Sequence, residues 1–319
     1  MRHDERMDLE PYRGELVAYC YRMLGSFHEA EDLVQETMLR AWKARDRYDA
    51  SRASVRTWLY RIATNVCLTA LEGRARRPLP SGLGAPSDDP QAPLTPAFDI
   101  PWLQPFPDAR YNVEARADLR LALVAAMQVL PARQRAVLVL REVLEFSAAE
   151  VAEQLGTTVA AVNSSLQRAR AAIADVGDPG EVPEPDDAEA REVVQRYARA
   201  FEAADVPALV RLLTDAAVLE MPPVPLWYRG RRDYGLFLDR VFAMRGTSWV
   251  TRELTAGGQP ALAAYAPDPE GSGHRLHTLQ VFTVRGGRVA HNVVFADPRV
   301  FEAFGLPGEI SSDGFGRGR

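Results

Sequence analysis

Residues 147–170 read SAAEVAEQLGTTVAAVNSSLQRAR, and this stretch decides how the 319-residue chain is to be understood. Ser147 is placed to cap a helix with the apolar face Val151, Ala152 and Leu155, and Gly156 offers the left-handed residue that ends it. Thr157 or Thr158 caps a second helix, with Val159, Val162, Leu166, Ala169 and Ile173 turned inward at spacings of three and four. Ala160, Ala161, Ser164, Gln167, Arg168 and Arg170 are left outside. Helix, glycine turn, helix is the grammar of a helix-turn-helix, whose second helix enters a DNA major groove. The charge does not suit a free-standing DNA binder. From Pro131 to Asp175 five arginines are matched by Glu142, Glu145, Glu150, Glu153 and Asp175. Phosphate neutralisation supplies most sequence-independent affinity, so this reading head needs a second attachment to stay on a duplex.

Around that head the chain is ordinary in composition. With 47% hydrophobic and 25% charged residues it can build two or three cores, and no disordered class fits the whole of it. A net charge of -5 excludes a protein that coats nucleic acid or an anionic membrane through bulk electrostatics. There is no apolar run of about 18 residues and no basic-then-apolar leader. Neither a membrane span nor a signal peptide is expected, and the expected location is the cytoplasm. Cys20 and Cys67 fall on apolar faces of predicted helices, which points to two reduced core thiols rather than a disulfide or a zinc site.

The N-terminal stretch is helical by pattern. Leu16, Val17, Cys20, Met23 and Leu24 mark a helix that stops at Gly25, and Ser26 caps the next. In HEAEDLVQETMLRAWKAR (28–45), Ala30, Leu33, Val34, Thr37, Met38, Ala41 and Trp42 form one face, while Glu29, Glu31, Asp32, Gln35 and Glu36 crowd the first turns. Acids there suit the helix dipole and also make a docking surface. A polar loop around Asp49 to Arg56 precedes VRTWLYRIATNVCLTALEGRARR (55–77), where an apolar face of Trp58, Leu59, Ile62, Val66 and Leu71 adjoins Arg56, Arg61, Thr64 and Asn65. From Met1 to Arg77, 14 basic residues balance 12 acids, but the acids lead and the basics trail. That asymmetry suits a unit touching protein on one side and nucleic acid on the other.

The run EAEDLVQETMLRAW followed by RTWLYRIATNVCLTALEGRARR resembles region 2 of sigma-70 factors of the extracytoplasmic-function (ECF) type. LPARQRAVLVLREVLEFSAAEVAEQLGTTVAAVNSSLQRAR resembles their region 4. The resemblance implies a dissociable subunit of core RNA polymerase that recognises promoter DNA and starts transcription, with no chemistry of its own and no cofactor. It places Asp32, Gln35 and Glu36 on the polymerase-binding surface. Ser51, Arg52, Arg56, Arg61 and Asn65 face the minus-ten element, and Thr158, Ala161, Ser164, Gln167 and Arg168 face the minus-thirty-five element. Unpaired bases need hydrogen bonds to their edges and stacking partners, which suits the polar loop. Trp58 is expected in the core; Tyr60 is expected either in the core or stacked on a base.

Residues 78–108, PLPSGLGAPSDDPQAPLTPAFDIPWLQPFPD, hold nine prolines, too many for a helix or a central strand, so 78–112 is read as a tether. Its first half suits a flexible linker. In its second half Phe98, Ile100, Trp102, Leu103 and Phe106 are costly to leave in water, so DIPWLQPFPD is expected to dock. In ECF factors this segment threads the polymerase cleft, and docking onto the C-terminal domain is the equal alternative. From Tyr111 a helix through Asp118, Leu119, Leu121, Val124 and Met127 leads to Leu130, Val137, Leu138, Leu140 and Val143 under the helix-turn-helix, in a domain spanning 113–175.

An acidic, proline-bearing second linker, DVGDPGEVPEPDDAEA, precedes a domain at 187–307. Helical patterns around Val193 to Phe201 and Leu209 to Leu213 are followed by strand AVLEM, helix RRDYGLFLDRVFAM, and strands SWVTRELTA, PALAAYAP, HRLHTLQVFTV and RVAHNVVFAD, the last two joined by Gly286 and Gly287. This order resembles the SnoaL-like domain, a cone-shaped α+β fold shared with ketosteroid isomerase and polyketide cyclases. The fold class is thus two all-α sigma domains, region 2 at 8–77 and the helix-turn-helix of region 4, plus an α+β cone. Such a cone encloses an apolar pocket able to hold a small molecule. Glu220, Tyr228, His277, Gln280, Asn292 and Asp297 are candidates to line it, with Trp227 at the mouth. His274, His277 and His291 lack the carboxylate spacing of a metal site, and no metal is expected.

The leading reading is an ECF-type sigma factor whose C-terminal cone regulates it. Two alternatives stay open on the sequence. A one-component regulator would sense a ligand in the cone and bind an operator without polymerase. An isomerase or cyclase tethered to a DNA-binding module would need Asp297 or Glu220 as base beside Tyr228 or His277 as oxyanion donor.

Overall fold

The computed structural model describes residues 8–111, 119–175, 188–271 and 273–311. The helix start expected at Asp118 and most of the acidic second linker lie outside them. The chain divides into two compact units, one of residues 1–77 with 111–179 and the other of 78–110 with 180–319. The tether therefore belongs with the C-terminal domain.

The first unit is helical. Helices α1 (Arg13–Leu24), α2 (Phe27–Ala44) and α3 (Val55–Leu71) pack on one another. Gly25 ends α1 at φ 70°, and the side chains of Ser26 and Ser54 cap α2 and α3 by accepting from Glu29 and Thr57. Leu16, Tyr19, Cys20, Phe27, Val34, Leu59 and Tyr60 are fully buried. Cys20 and Cys67, distant in sequence, meet in this core with sulfurs 3.5 Å apart. Their mutual hydrogen bond and burial push the Cys67 thiol up, so it stays protonated.

Helices α4 (Leu121–Gln128) and α5 (Ala132–Leu138) follow, and Val139–Val143 widens into a π turn before α6 (Ala148–Leu155) and α7 (Val159–Asp175). Leu130, Val137, Leu138 and Leu140 are buried as expected, and Val143 is half-buried. Buried Arg135 joins the two halves of this unit. Its guanidinium donates to the Met23 carbonyl at the end of α1, to Gln128 Oε1 at 2.9 Å, and to the Gln128 and Leu130 carbonyls at 3.2 and 3.1 Å. These carbonyls lie at or just past helix ends, where no intrahelical donor reaches them, so one side chain caps two helices. Burial, and to a lesser extent Arg76, lowers its pKa to about 10, which leaves it charged at neutral pH.

In the second unit α8 (Ala188–Glu202), α9 (Val206–Arg211) and α10 (Arg231–Arg245) cover a curved sheet ordered β2-β1-β6-β5-β4-β3. The strands are β1 (Leu213–Glu220), β2 (Trp227–Arg229), β3 (Val250–Ala256), β4 (Gln259–Pro267), β5 (His274–Arg285) and β6 (Arg288–Phe295). Two elements had no sequence signal: β2, only three residues long, and β7 (Glu309–Ile310), which pairs with β5. β1 and β6 run parallel; their neighbours are antiparallel. Gly286 and Gly287, at φ 54° and 69°, make the two-residue turn between β5 and β6 that only left-handed backbone allows. Gly235 lets α10 approach α9, because a Cβ there would sit 2.8 Å from Val210. The core runs through Tyr197, Phe201, Phe242, Trp249 and Phe282, with Tyr197 edge to face on Phe282 and Phe201 edge to face on Trp249.

Candidate functional site

The helix-turn-helix forms on local signals. Ser147 and Glu150 make a reciprocal capping box on α6, and Gly156 ends that helix at φ 60°. Thr158, rather than Thr157, opens α7, accepting from the Ala161 amide at 3.2 Å. Val162, Leu166 and Ala169 are buried and Ile173 is half-buried, but Val159, expected inward, is 45% exposed on the first turn of α7. Ser164, Gln167 and Arg168 are exposed and Ala161 half-exposed. Arg168 is held along the helix by Ser164 Oγ at 2.7 Å and Ser165 Oγ at 3.2 Å, so the guanidinium is pre-oriented on the outer face. Arg170 is instead bound to Glu142 at 2.6 Å.

The loop before α3 presents Ser51 and Arg52 to solvent. The Asp49 carboxylate orders it, accepting the Ser51 amide at 2.9 Å and hydroxyl at 2.7 Å, bonds that lower its pKa. Asn65 and Arg61 are exposed on α3, and Arg61 faces Glu153 of α6 at 3.7 Å. Arg56 is engaged inside the unit: it pairs with Glu15 at 2.9 Å and lies over the rings of Tyr60 and Phe146. Tyr60 is fully buried with its hydroxyl on Glu15 at 3.2 Å, which rules it out as a stacking platform. Trp58 is half-buried against Tyr48.

On α2, Asp32 and Gln35 are exposed and Glu36 is half-exposed, paired with Arg40 at 2.6 Å. Two residues extend this face that the pattern did not supply: Leu39 is 45% exposed and Trp42, expected inward, is 59% exposed beneath the Arg45 guanidinium. Large apolar groups left in water beside acids are the composition of a protein-docking surface. An extra apolar residue at the end of an amphipathic stripe was the only available sign.

In the second unit the expected pocket residues separate into two groups. Of Glu220, Trp227, Tyr228, His277 and Asp297, only His277 lines the inner cavity of about 220 Å³, together with Gln280, Asn292, Tyr197 and Tyr234. Burial, then Arg245, lowers the His277 pKa to about 4, so it is neutral at physiological pH. Asp297 caps α11 (Pro298–Ala303) and pairs with Arg299 at 2.8 Å. Glu220, Trp227 and Tyr228 hold the tether. Glu220 accepts the Ser81 amide at 2.7 Å and bonds His291 at 2.8 Å; burial pushes its carboxyl up, but these bonds prevail and keep it low. Trp227 donates to the Gly84 carbonyl at 2.9 Å and Tyr228 to the Asp89 carbonyl at 3.1 Å. Arg240, missed in the sequence, donates to the Pro90 and Ala92 carbonyls at 2.9 and 2.7 Å. The Ser87 and Ala97 amides donate to the Trp227 and Pro223 carbonyls. Trp102, Leu103 and Phe106 are buried, and Pro107 bridges to Ala256. Of the two docking options for DIPWLQPFPD, the structure takes the C-terminal domain; Phe98, just before it, stays 58% exposed.

Three family models match the chain: sigma-70 region 2 at residues 9–77, sigma-70 region 4 at 120–173 and the SnoaL-like domain at 194–292. The chain is 47% identical to the ECF RNA polymerase sigma factor SigG of Mycobacterium tuberculosis, over 97% of this chain and 85% of that one. It is 29% identical to the ECF RNA polymerase sigma factor SigJ of the same organism, over 99% and 98%. The crystal structure of M. tuberculosis SigJ superposes with a TM-score of 0.66 at 25% identity, covering 93% of this chain and 98% of that one. Among the described residues no helix is long and apolar enough to cross a membrane. With both sigma regions in order, the SnoaL-like domain behind them and a 47% identical relative matched over 97% of this chain, the chain belongs to the ECF family of RNA polymerase sigma factors.

Proposed function

We propose that this protein is a promoter-recognising subunit of core RNA polymerase that is stored closed, with its inter-region tether clasped by its own C-terminal cone. The observation that carries the reading is the pairing of tether backbone with cone side chains: Glu220, Trp227, Tyr228 and Arg240 together satisfy Ser81, Gly84, Asp89, Pro90 and Ala92. A tether so held is not available to thread the polymerase cleft. The first unit is closed as well. The minus-ten and minus-thirty-five elements lie about 25 base pairs apart, roughly 85 Å at 3.4 Å per base pair. Arg61 on one reading surface lies 3.7 Å from Glu153 of the helix-turn-helix, so α3 and α6 separate before both elements are engaged. Polymerase supplies what the neutral helix-turn-helix lacks, by tethering it at high effective concentration.

The cone acts here as a binding and holding module rather than an enzyme. No carboxylate lines its inner cavity among the described residues, and Glu220 and Asp297 are committed elsewhere. Run-off transcription from promoter fragments tests the reading. Transcription is expected only with core polymerase present, and Arg168→Ala is expected to lower promoter-specific product about tenfold, ~1.4 kcal/mol for one contact, without weakening core binding. A tight operator footprint by the chain alone would favour a one-component regulator instead.

A further inference from the structure

The inner cavity of the cone has the features of a built site. Its walls are apolar, with Phe201, Leu219, Met221, Phe237 and Trp249. One edge is polar and buried: the Asn292 amide nitrogen donates to Tyr234 Oη at 2.7 Å and to Gln280 Oε1 at 2.9 Å, and Tyr234 bonds Tyr197 at 2.9 Å. That chain leaves Asn292 Oδ1 with no hydrogen-bond partner, although Asn292 is only 1% exposed. A buried acceptor without a donor is costly, and a ligand that supplies the donor recovers the cost. The larger groove of about 410 Å³ around Glu253 and Gln259 has no such group: the Gln259 amide is bound to Phe282 and Thr283. The inner cavity, about 220 Å³, is below the roughly 300–1,000 Å³ of drug-sized pockets, which sets a compact ligand. Among the described lining residues there is no carboxylate, His277 is neutral and Arg245 is exposed to solvent, so a charge carried to the buried polar end would go unpaired.

Leu94 and Pro96 of the tether complete the wall. A molecule in the cavity touches them only while the tether is docked, and that difference in contact is what lets a ligand shift an equilibrium. We infer that the cone cavity binds a compact, neutral, largely apolar molecule donating one hydrogen bond to Asn292, and that this ligand locks the tether onto the cone. The second clause rests on the clasp reading above; the first does not.

The probes are 2-naphthol and 2-methoxynaphthalene, equal in shape at the ring but differing in the single O–H donor. Titrated into the full chain and followed by tryptophan fluorescence and calorimetry, 2-naphthol is expected to bind saturably and at least tenfold more tightly than the methoxy compound. In Asn292→Leu that preference is expected to vanish. Equal affinities in the wild-type chain, or no saturable binding of 2-naphthol, would overturn the cavity assignment without any variant having to fold. Saturating 2-naphthol is further expected to weaken core polymerase binding severalfold. Saturable naphthol binding with unchanged polymerase affinity would overturn the locking clause and leave the site standing.

Discussion

Arg135→Met is expected to lower the stability of the helical unit by several kcal/mol, at about 1–3 kcal/mol for each buried acceptor left without its donor. The methionine replaces much of the apolar volume but supplies no donor. The Met23, Gln128 and Leu130 carbonyls and Gln128 Oε1 then face a dry interior unpaired, at about 1–3 kcal/mol for each group that water cannot reach. Arg135→Lys, with a single ammonium in place of a planar fork, reaches fewer of them and is expected to fall between. Urea unfolding followed by the far-ultraviolet helix signal measures the loss. A shift below about 1 kcal/mol would mean that the helix ends are satisfied some other way.

The second large effect concerns the clasp. Arg240→Ala with Tyr228→Phe removes the donors to Asp89, Pro90 and Ala92 and leaves the sheet intact. Hydrogen bonds from a charged donor contribute about 1.5–3 kcal/mol each, so the docked tether loses on the order of 3 kcal/mol. Where the binding-competent state is a small fraction of the total, apparent affinity rises in proportion to that fraction. Core polymerase affinity is therefore expected to rise roughly ten- to a hundredfold in an anisotropy titration. Deleting residues 180–319 acts in the same direction. Unchanged affinity in both variants would mean that the cone does not restrain the tether.

How much of this was legible before the fold is a matter of range. Ser147, Gly156, Ser26 and Gly25 act through neighbours within one turn, so the capped helices and the helix-turn-helix were readable from spacing. Val159 and Trp42 were misassigned because helical period identifies a stripe but not whether a partner lies opposite its ends. The tether's destination was undecidable, because an extended proline-rich segment bonds through its backbone to groups 120 to 150 positions away, and Arg240 carries no local mark of that role. Of the residues expected at the cavity, His277, Gln280 and Asn292 line it. His277 and Gln280 differ in parity along β5, so strict alternation sends them to opposite faces. The register shift pairs Ala264 with Thr278 and Tyr265 with Leu276 and leaves His277 as the extra residue, which brings both side chains to the cavity. Glu220 and Tyr228 were legible as polar groups on strands, but the tether they hold was not.

Amide hydrogen exchange at Ser81, Ser87 and Ala97 tests the clasp most directly, because these three amides donate to Glu220, Trp227 and Pro223 of the cone. The account predicts that all three are protected in the free protein and lose that protection, by a hundredfold or more, once core polymerase is bound. Undiminished protection in a polymerase complex that is actively initiating transcription would contradict it.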